Sequence, residues 1–148
     1  MPQTYSSRTR VKRMAATLDL LGAGCSVEVV NRAGDPLAAW PLAAPPARVL
    51  VMDRDFRILV AGDGIEESQN IFLEFLLREV PSRTVAIKTG VPHSVRIVDA
   101  SGEPVIFGLE VAVEGDDAAK HSFAVVASDL AVEGEELILT RIGVIQHV

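Results

Sequence analysis

The sequence predicts a mainly β protein: an antiparallel β-sandwich preceded by one N-terminal α-helix. Three observations predict it. Apolar residues near the start recur at helical spacing, at Val11, Met14, Ala15, Leu18 and Leu21. Near Cys25 the pattern changes to short, alternating, β-branched segments. Turn residues then punctuate the chain at the spacing of sandwiches and barrels. The change of period divides the chain into a basic arm with its helix, 1–24, and a β domain, 25–148.

The helix is predicted over 8–21, with Ser6 or Ser7 as its cap and Gly22 and Gly24 ending it. Arg8, Arg10, Lys12, Arg13 and Asp19 fall off the apolar stripe. A strand over 26–31 and a return strand over 36–42 flank the turn from Arg32 to Asp35. Pro45-Pro46 should make 43–47 a connector, because proline cannot donate to a ladder. Segments 49–52 and 56–61 flank Asp53-Arg54-Asp55 as a hairpin, and Gly62-Asp63-Gly64 is a turn.

The stretch 66–80 reads either as a second helix or as a strand. Glu66 and Glu67 suit a first helical turn, and local propensity inclines that way. As a strand, it would place Ile71, Leu73, Phe75 and Leu77 on one face. Further strands are predicted over 84–88, 94–99, 105–113, 122–128 and 137–146. The expected core includes Ile97, Val98, Val105, Ile106, Phe107, Val125, Leu137, Leu139 and Ile142, with Val95 sharing the Ile97 face and Arg96 opposite.

Composition narrows the function classes. The chain has 148 residues, 49% of them hydrophobic and 23% charged, which fits one domain and excludes a disordered tail or coiled coil. No apolar run reaches a membrane span, and no signal-type apolar segment is expected behind the first basic residues. The single Cys25 excludes an internal disulfide framework and is expected to be a small buried residue. The net charge of −6 divides unevenly: residues 1–13 carry +4 and the remainder, with 10 basic and 20 acidic residues, carries −10. A basic arm on an acidic body suits docking to an acidic surface. The plain alternative is a solvated helix face. The acidic body disfavours general nucleic-acid binding.

No constellation of catalytic type stands out. His93, His121 and His147 lack a second ligand at metal spacing, so no metal or cofactor is expected. Glu114, Asp116 and Asp117 do not match a calcium loop and read as a solvated turn. Gly62-Asp63-Gly64 lacks the Lys-Ser/Thr of a phosphate loop. A small-molecule sensor domain is the alternative class, with Trp40, His93 and Arg96 as its candidate polar groups. An enzyme would need His93 or His121 beside a carboxylate.

The two ends of the chain resemble a small virion structural protein family of tailed bacteriophages. The opening run from Tyr5-Ser6-Ser7-Arg8-Thr9-Arg10 through Arg13-Met14 and Leu18 to Leu21-Gly22-Ala23-Gly24 carries the likeness. So do Gly34-Asp35-Pro36 with its flanking strands, and Ser94-Val95-Arg96-Ile97-Val98 leading to Asp99-Ala100-Ser101-Gly102. The closing strand, Gly-containing turn and final alternating strand, 125–146, complete it. The resemblance covers 5–46 and 82–146, departs from the pattern over 47–81, and inclines 66–80 toward a strand. It implies a non-enzymatic virion component, a head-surface decoration or tail accessory protein, made in the bacterial host cytoplasm. Its implied partners are copies of itself and other virion proteins, with neither membrane nor sequence-specific nucleic acid among them. Arg8, Arg10, Lys12 and Arg13 are the candidate partner-docking residues.

Overall fold

The computed structural model describes residues 5–52, 55, 57, 58 and 70–146. The chain is mainly β, with 51% strand and 14% helix. One helix, α1 (Ser7–Leu21), precedes nine strands. These are β1 (Ser26–Val30), β2 (Pro36–Met52), β3 (Asn70–Leu77), β4 (Ser82–Val85), β5 (Ser94–Val98), β6 (Pro104–Val113), β7 (Ala124–Val126), β8 (Glu136–Ile142) and β9 (Val144–Gln146). Their order in the sheet is β4-β8-β7-β6-β5-β1-β2-β3-β9. The sheet curls into a half-barrel, so its facing walls supply the two layers of the core. All pairs are antiparallel except β6 with β7.

Helix α1 starts where its cap dictates. The Ser6 hydroxyl accepts from the Thr9 amide at 3.2 Å, satisfying one of the orphan donors of the first turn. Met14 and Leu21 are buried in the common core, with Val11 and Leu18 packed against it. The helix lies against β2 and β3. Gly24 follows at φ 81°, and its Cα lies so near Ala100 that a Cβ would stand 3.2 Å from the alanine methyl. Cys25 is buried as expected, its thiol donating to the carbonyls of Leu21 and Gly22.

The expected connector at 43–47 is instead part of a strand. β2 runs unbroken through Pro45-Pro46, pairing first with β1 and then with β3. The prolines are accommodated because the ladder lapses around them. Leu42 faces Leu77 and Ala47 faces Phe75, so four residues of β2 bulge out against one of β3. No ladder donor is demanded where proline has none to give. The proposed hairpin and the Gly62-Asp63-Gly64 turn lie largely outside the described residues, which retain a bridge between Met52 and Ile58.

The helical inclination for 66–80 fails over its described part, which forms β3. Ile71, Leu73 and Phe75 are buried on one face, the phase of the strand reading. β3 has strands on both sides, β2 and β9, and this pairing outweighs local helix propensity.

The expected core is largely observed: Val95, Ile97, Val98, Val125, Leu137 and Leu139 are buried, while Val105, Ile106 and Ile142 pack against them. Phe107 is the exception, 75% exposed. On β5, Arg96 alone separates Val95 from Ile97; on β6, Phe107 and Gly108 together separate Ile106 from Leu109. Gly108, at φ 75°, supplies the left-handed residue that such a bulge needs. The extra residue puts Ile106 and Leu109 opposite the inward Ile97 and Val95, and Phe107 is left outside.

The predicted strand 137–146 is divided at Gly143 into β8 and β9. β8 pairs with β4 and β7 near one end of the sheet, whereas β9 pairs with β3 at the other. One bent segment therefore ties the two ends together. Trp40, fully buried on β2, reinforces the closure by donating its indole N–H to the Leu137 carbonyl of β8 at 3.2 Å. Phe75 and Phe123 meet edge to face nearby, ring centres 5.6 Å apart.

Candidate functional site

The four predicted docking residues all lie in the first half of α1, but the fold does not treat them alike. Arg8 and Lys12, one helical turn apart, are exposed on the outward face. Arg13 is also exposed, and its guanidinium carbon sits 3.8 Å from the centre of the Tyr5 ring, a cation–π contact that steadies the start of the chain. Arg10 departs from the expectation: it stands one turn before the buried Met14 and is half-buried on the flank of the core stripe.

The first turn of α1 holds no acidic side chain. Its basic residues therefore add to the partial positive charge of the helix N-terminus rather than cancel it. That arrangement is slightly unfavourable for an isolated helix, by about 0.3–1 kcal/mol for a cation in the first turn. Its consequence is a concentrated positive pole on an element whose opposite face is anchored. Toward its C-terminal end the same helix exposes Ala15, Ala16, the carboxylate of Asp19 and Leu20, the last 72% exposed.

A second surface was not foreseen from sequence. β4 pairs with β8 over 82–85 and 136–139, and the bent segment that follows it keeps scattered backbone bonds to 131–135, here called the ribbon. Ala86 exchanges backbone bonds with Gly134 and Glu135, and Gly90 bridges Ala131. Ser82 and Ala86 point inward and are buried, whereas Val85, Ile87, Val91 and Leu130 are exposed. Asp129, Glu133 and Glu135, also exposed, flank this apolar strip. The strand expected over 84–88 lies instead at Ser82–Val85, and the chain bends at 87–88, where the Ile87 amide turns to the Leu37 carbonyl of β2; that Val85 and Ile87 stay exposed depends on the sheet order.

Elsewhere, the sensor candidates are not gathered. Trp40 is inside the barrel, and Arg96 is on the outside, paired with Glu28 of β1 at 2.6 Å. His93 lines a separate surface cleft with Asn31, Arg32 and Gly90. His121 and Glu110 line one cleft of about 330 Å³ with Lys120, Ser122 and Arg141. Arg141 there donates to the Ala119 carbonyl, and the Ser122 hydroxyl to that of Ala118. Among the described residues no three metal-ligating side chains come together, the exposed Glu114, Asp116 and Asp117 included. His147 lies outside the described residues. No described helix is long and apolar enough to cross a membrane.

Among the described residues, two carboxylates and the thiol have perturbed acidities. The Lys88 ammonium, 2.8 Å away, and the Asn31 amide hold Asp35 below the ordinary carboxylate value. Asp99 is lowered by hydrogen bonds from the Ser101 hydroxyl and the Glu103 amide. Burial raises the Cys25 thiol, which makes it a poor nucleophile. Both carboxylates close turns, at the β1–β2 and β5–β6 connections.

No family model matches the sequence, and comparison with the curated proteins and with the solved structures finds no match.

Proposed function

We propose that this protein is a non-enzymatic structural component of a tailed-phage virion, a head-surface decoration or tail accessory protein that works by self-assembly and docking. It is made in the host cytoplasm and ends in the particle, with Arg8, Arg10, Lys12 and Arg13 forming one of its contacts. The observation that carries the reading is the outward face of α1. Arg8, Lys12 and Arg13 are exposed there on a helix fixed to the half-barrel core by Met14 and Leu21. Such an element presents charge in a set orientation to a neighbour without having to fold on binding, which lowers the entropic cost of association. The resemblance of both chain ends to phage structural proteins supports the same reading.

Exposed ion pairs contribute about 0.5 kcal/mol each. The three exposed residues together would contribute about 1.5 kcal/mol, a roughly twelve-fold difference in affinity per contact. The test replaces Arg8, Arg10, Lys12 and Arg13 by Gln and measures incorporation into particles at low and high salt. Reduced incorporation, with wild-type incorporation falling as salt rises, is the expected result. Full incorporation of the variant at both salts would remove the helix from the mechanism.

A further inference from the structure

We infer that the acidic surface receiving α1 belongs to a second copy of this chain: the β4 ribbon, with its apolar strip and the carboxylates of Asp129, Glu133 and Glu135. The inference rests on the reading of self-assembly just given and names the two faces that meet.

Two properties of the surfaces match. The first is charge. The outward face of α1 carries Arg8, Lys12 and Arg13, all exposed, at the positive end of the helix dipole. The loop edge of the ribbon carries the exposed carboxylates of Asp129, Glu133 and Glu135 within seven residues, while its own cations, Arg83 and Lys88, are each paired with a carboxylate, Glu136 and Asp35. The second is apolar exposure. Val85, Ile87, Val91 and Leu130 are between 44% and 64% exposed along the ribbon, and Leu20 of α1 is 72% exposed. Exposed β-branched residues beside a sheet edge are a liability that proteins usually cover, and here the backbone edge is partly covered already, since the Ile87 amide donates to the Leu37 carbonyl of β2 at 2.8 Å, which leaves the side chains as the exposed part. Fifteen residues of helix span about 22 Å; the facing segment is the four-residue strand β4 followed by a bent stretch that returns to the sheet at Gly90.

α1 lies against β2 and β3, whereas β4 is the first strand of the sheet order. The two faces are different surfaces of one chain, so the contact is heterologous. It joins copies head to tail, and repeats until it closes as a ring or extends as a stack. Steering by opposite charge would set the direction, and the apolar strip would supply the desolvated centre.

The experiment measures sedimentation velocity of the full chain at about 100 µM, at low and at high salt, for four proteins. These are the wild type, a helix reversal (Arg8→Glu, Lys12→Glu, Arg13→Glu), a ribbon reversal (Asp129→Lys, Glu133→Lys, Glu135→Lys) and the two reversals combined. The combined protein has the wild-type net charge of −6, since the reversals contribute −6 and +6. Salt-sensitive association of the wild type, at least tenfold weaker in each single reversal and restored in the combination, is expected. If a reversal fails to unfold cooperatively, the corresponding Gln and Asn substitutions replace it, with the same direction expected. A wild type that is monomeric at low salt would overturn the proposal. So would association indifferent to either reversal, or not restored in the combination. None of those results depends on particles, so incorporation of the wild-type chain into virions judges the assembly reading separately.

Discussion

Trp40 and Phe107 are both large aromatics on alternating segments, yet one is fully buried and the other 75% exposed. The difference traces to one glycine. Gly108 in the middle of β6 is the sequence signal of a bulge, and counting it as an ordinary strand residue puts Phe107 in the wrong phase. Ile97→Ala is therefore expected to cost about 2–5 kcal/mol, whereas Phe107→Ser should stay within about 0.5 kcal/mol. Urea unfolding of the pair checks this; comparable losses would show that the bulge is misplaced. The Cys25 thiol, buried and held as a donor to two carbonyls, should resist disulfide reagents in the native protein and react freely once unfolded. Rapid labelling under native conditions at neutral pH would contradict that. For Asp99 the sign follows from a lowered acidity: its contribution is complete above the ordinary value of 3.8 and is lost as pH falls through the lower folded value. The stability gap between wild type and Asp99→Asn should accordingly narrow on acidification, as followed by urea midpoints. A gap constant with pH would assign the turn to something other than the charge.

Elements were legible where local chemistry decides them, and misread where partners do. α1 could be placed from its stripe, its Ser6 cap and its glycines, because all three act within one turn. Ser6→Ala should lower stability by about 0.5–2 kcal/mol in thermal or urea unfolding. β2 was misread at Pro45-Pro46 because the rule against proline in a sheet concerns the ladder, not the path of the chain. Nothing local announces that the ladder lapses for four residues there. At β3 the apolar residues serve both periods and local propensity inclines to a helix, whereas the flanking strands on both sides select the extended form. In β6, Gly108→Ala should cost about 1–2 kcal/mol through backbone strain alone, since a Cβ there meets nothing within 4 Å. An unchanged unfolding midpoint would mean that the bulge tolerates other residues.

At the scale of the molecule, the sheet curls into a half-barrel because the last two strands, joined at Gly143, belong to opposite ends of it. The bend at Gly143 and the Trp40 indole bond to Leu137 join walls that the sequence shows only as separate alternating runs. Of the candidate site, the basic residues were legible as charge. Their division into an outward trio and a half-buried Arg10 required the helix to be docked, and the exposed ribbon at β4 required the sheet order. A half-barrel core with a basic helix on one side and exposed apolar side chains along the β4 ribbon on another supports the proposed role in an assembly. The most direct test of that role is a mass-spectrometric search for the chain in purified phage particles and, in parallel, in the soluble fraction of the infected cells that made them. Recovery with the particles, at a fixed copy number that survives repeated purification, is the expected result. Recovery only as free protein, with none in the particles, would contradict it.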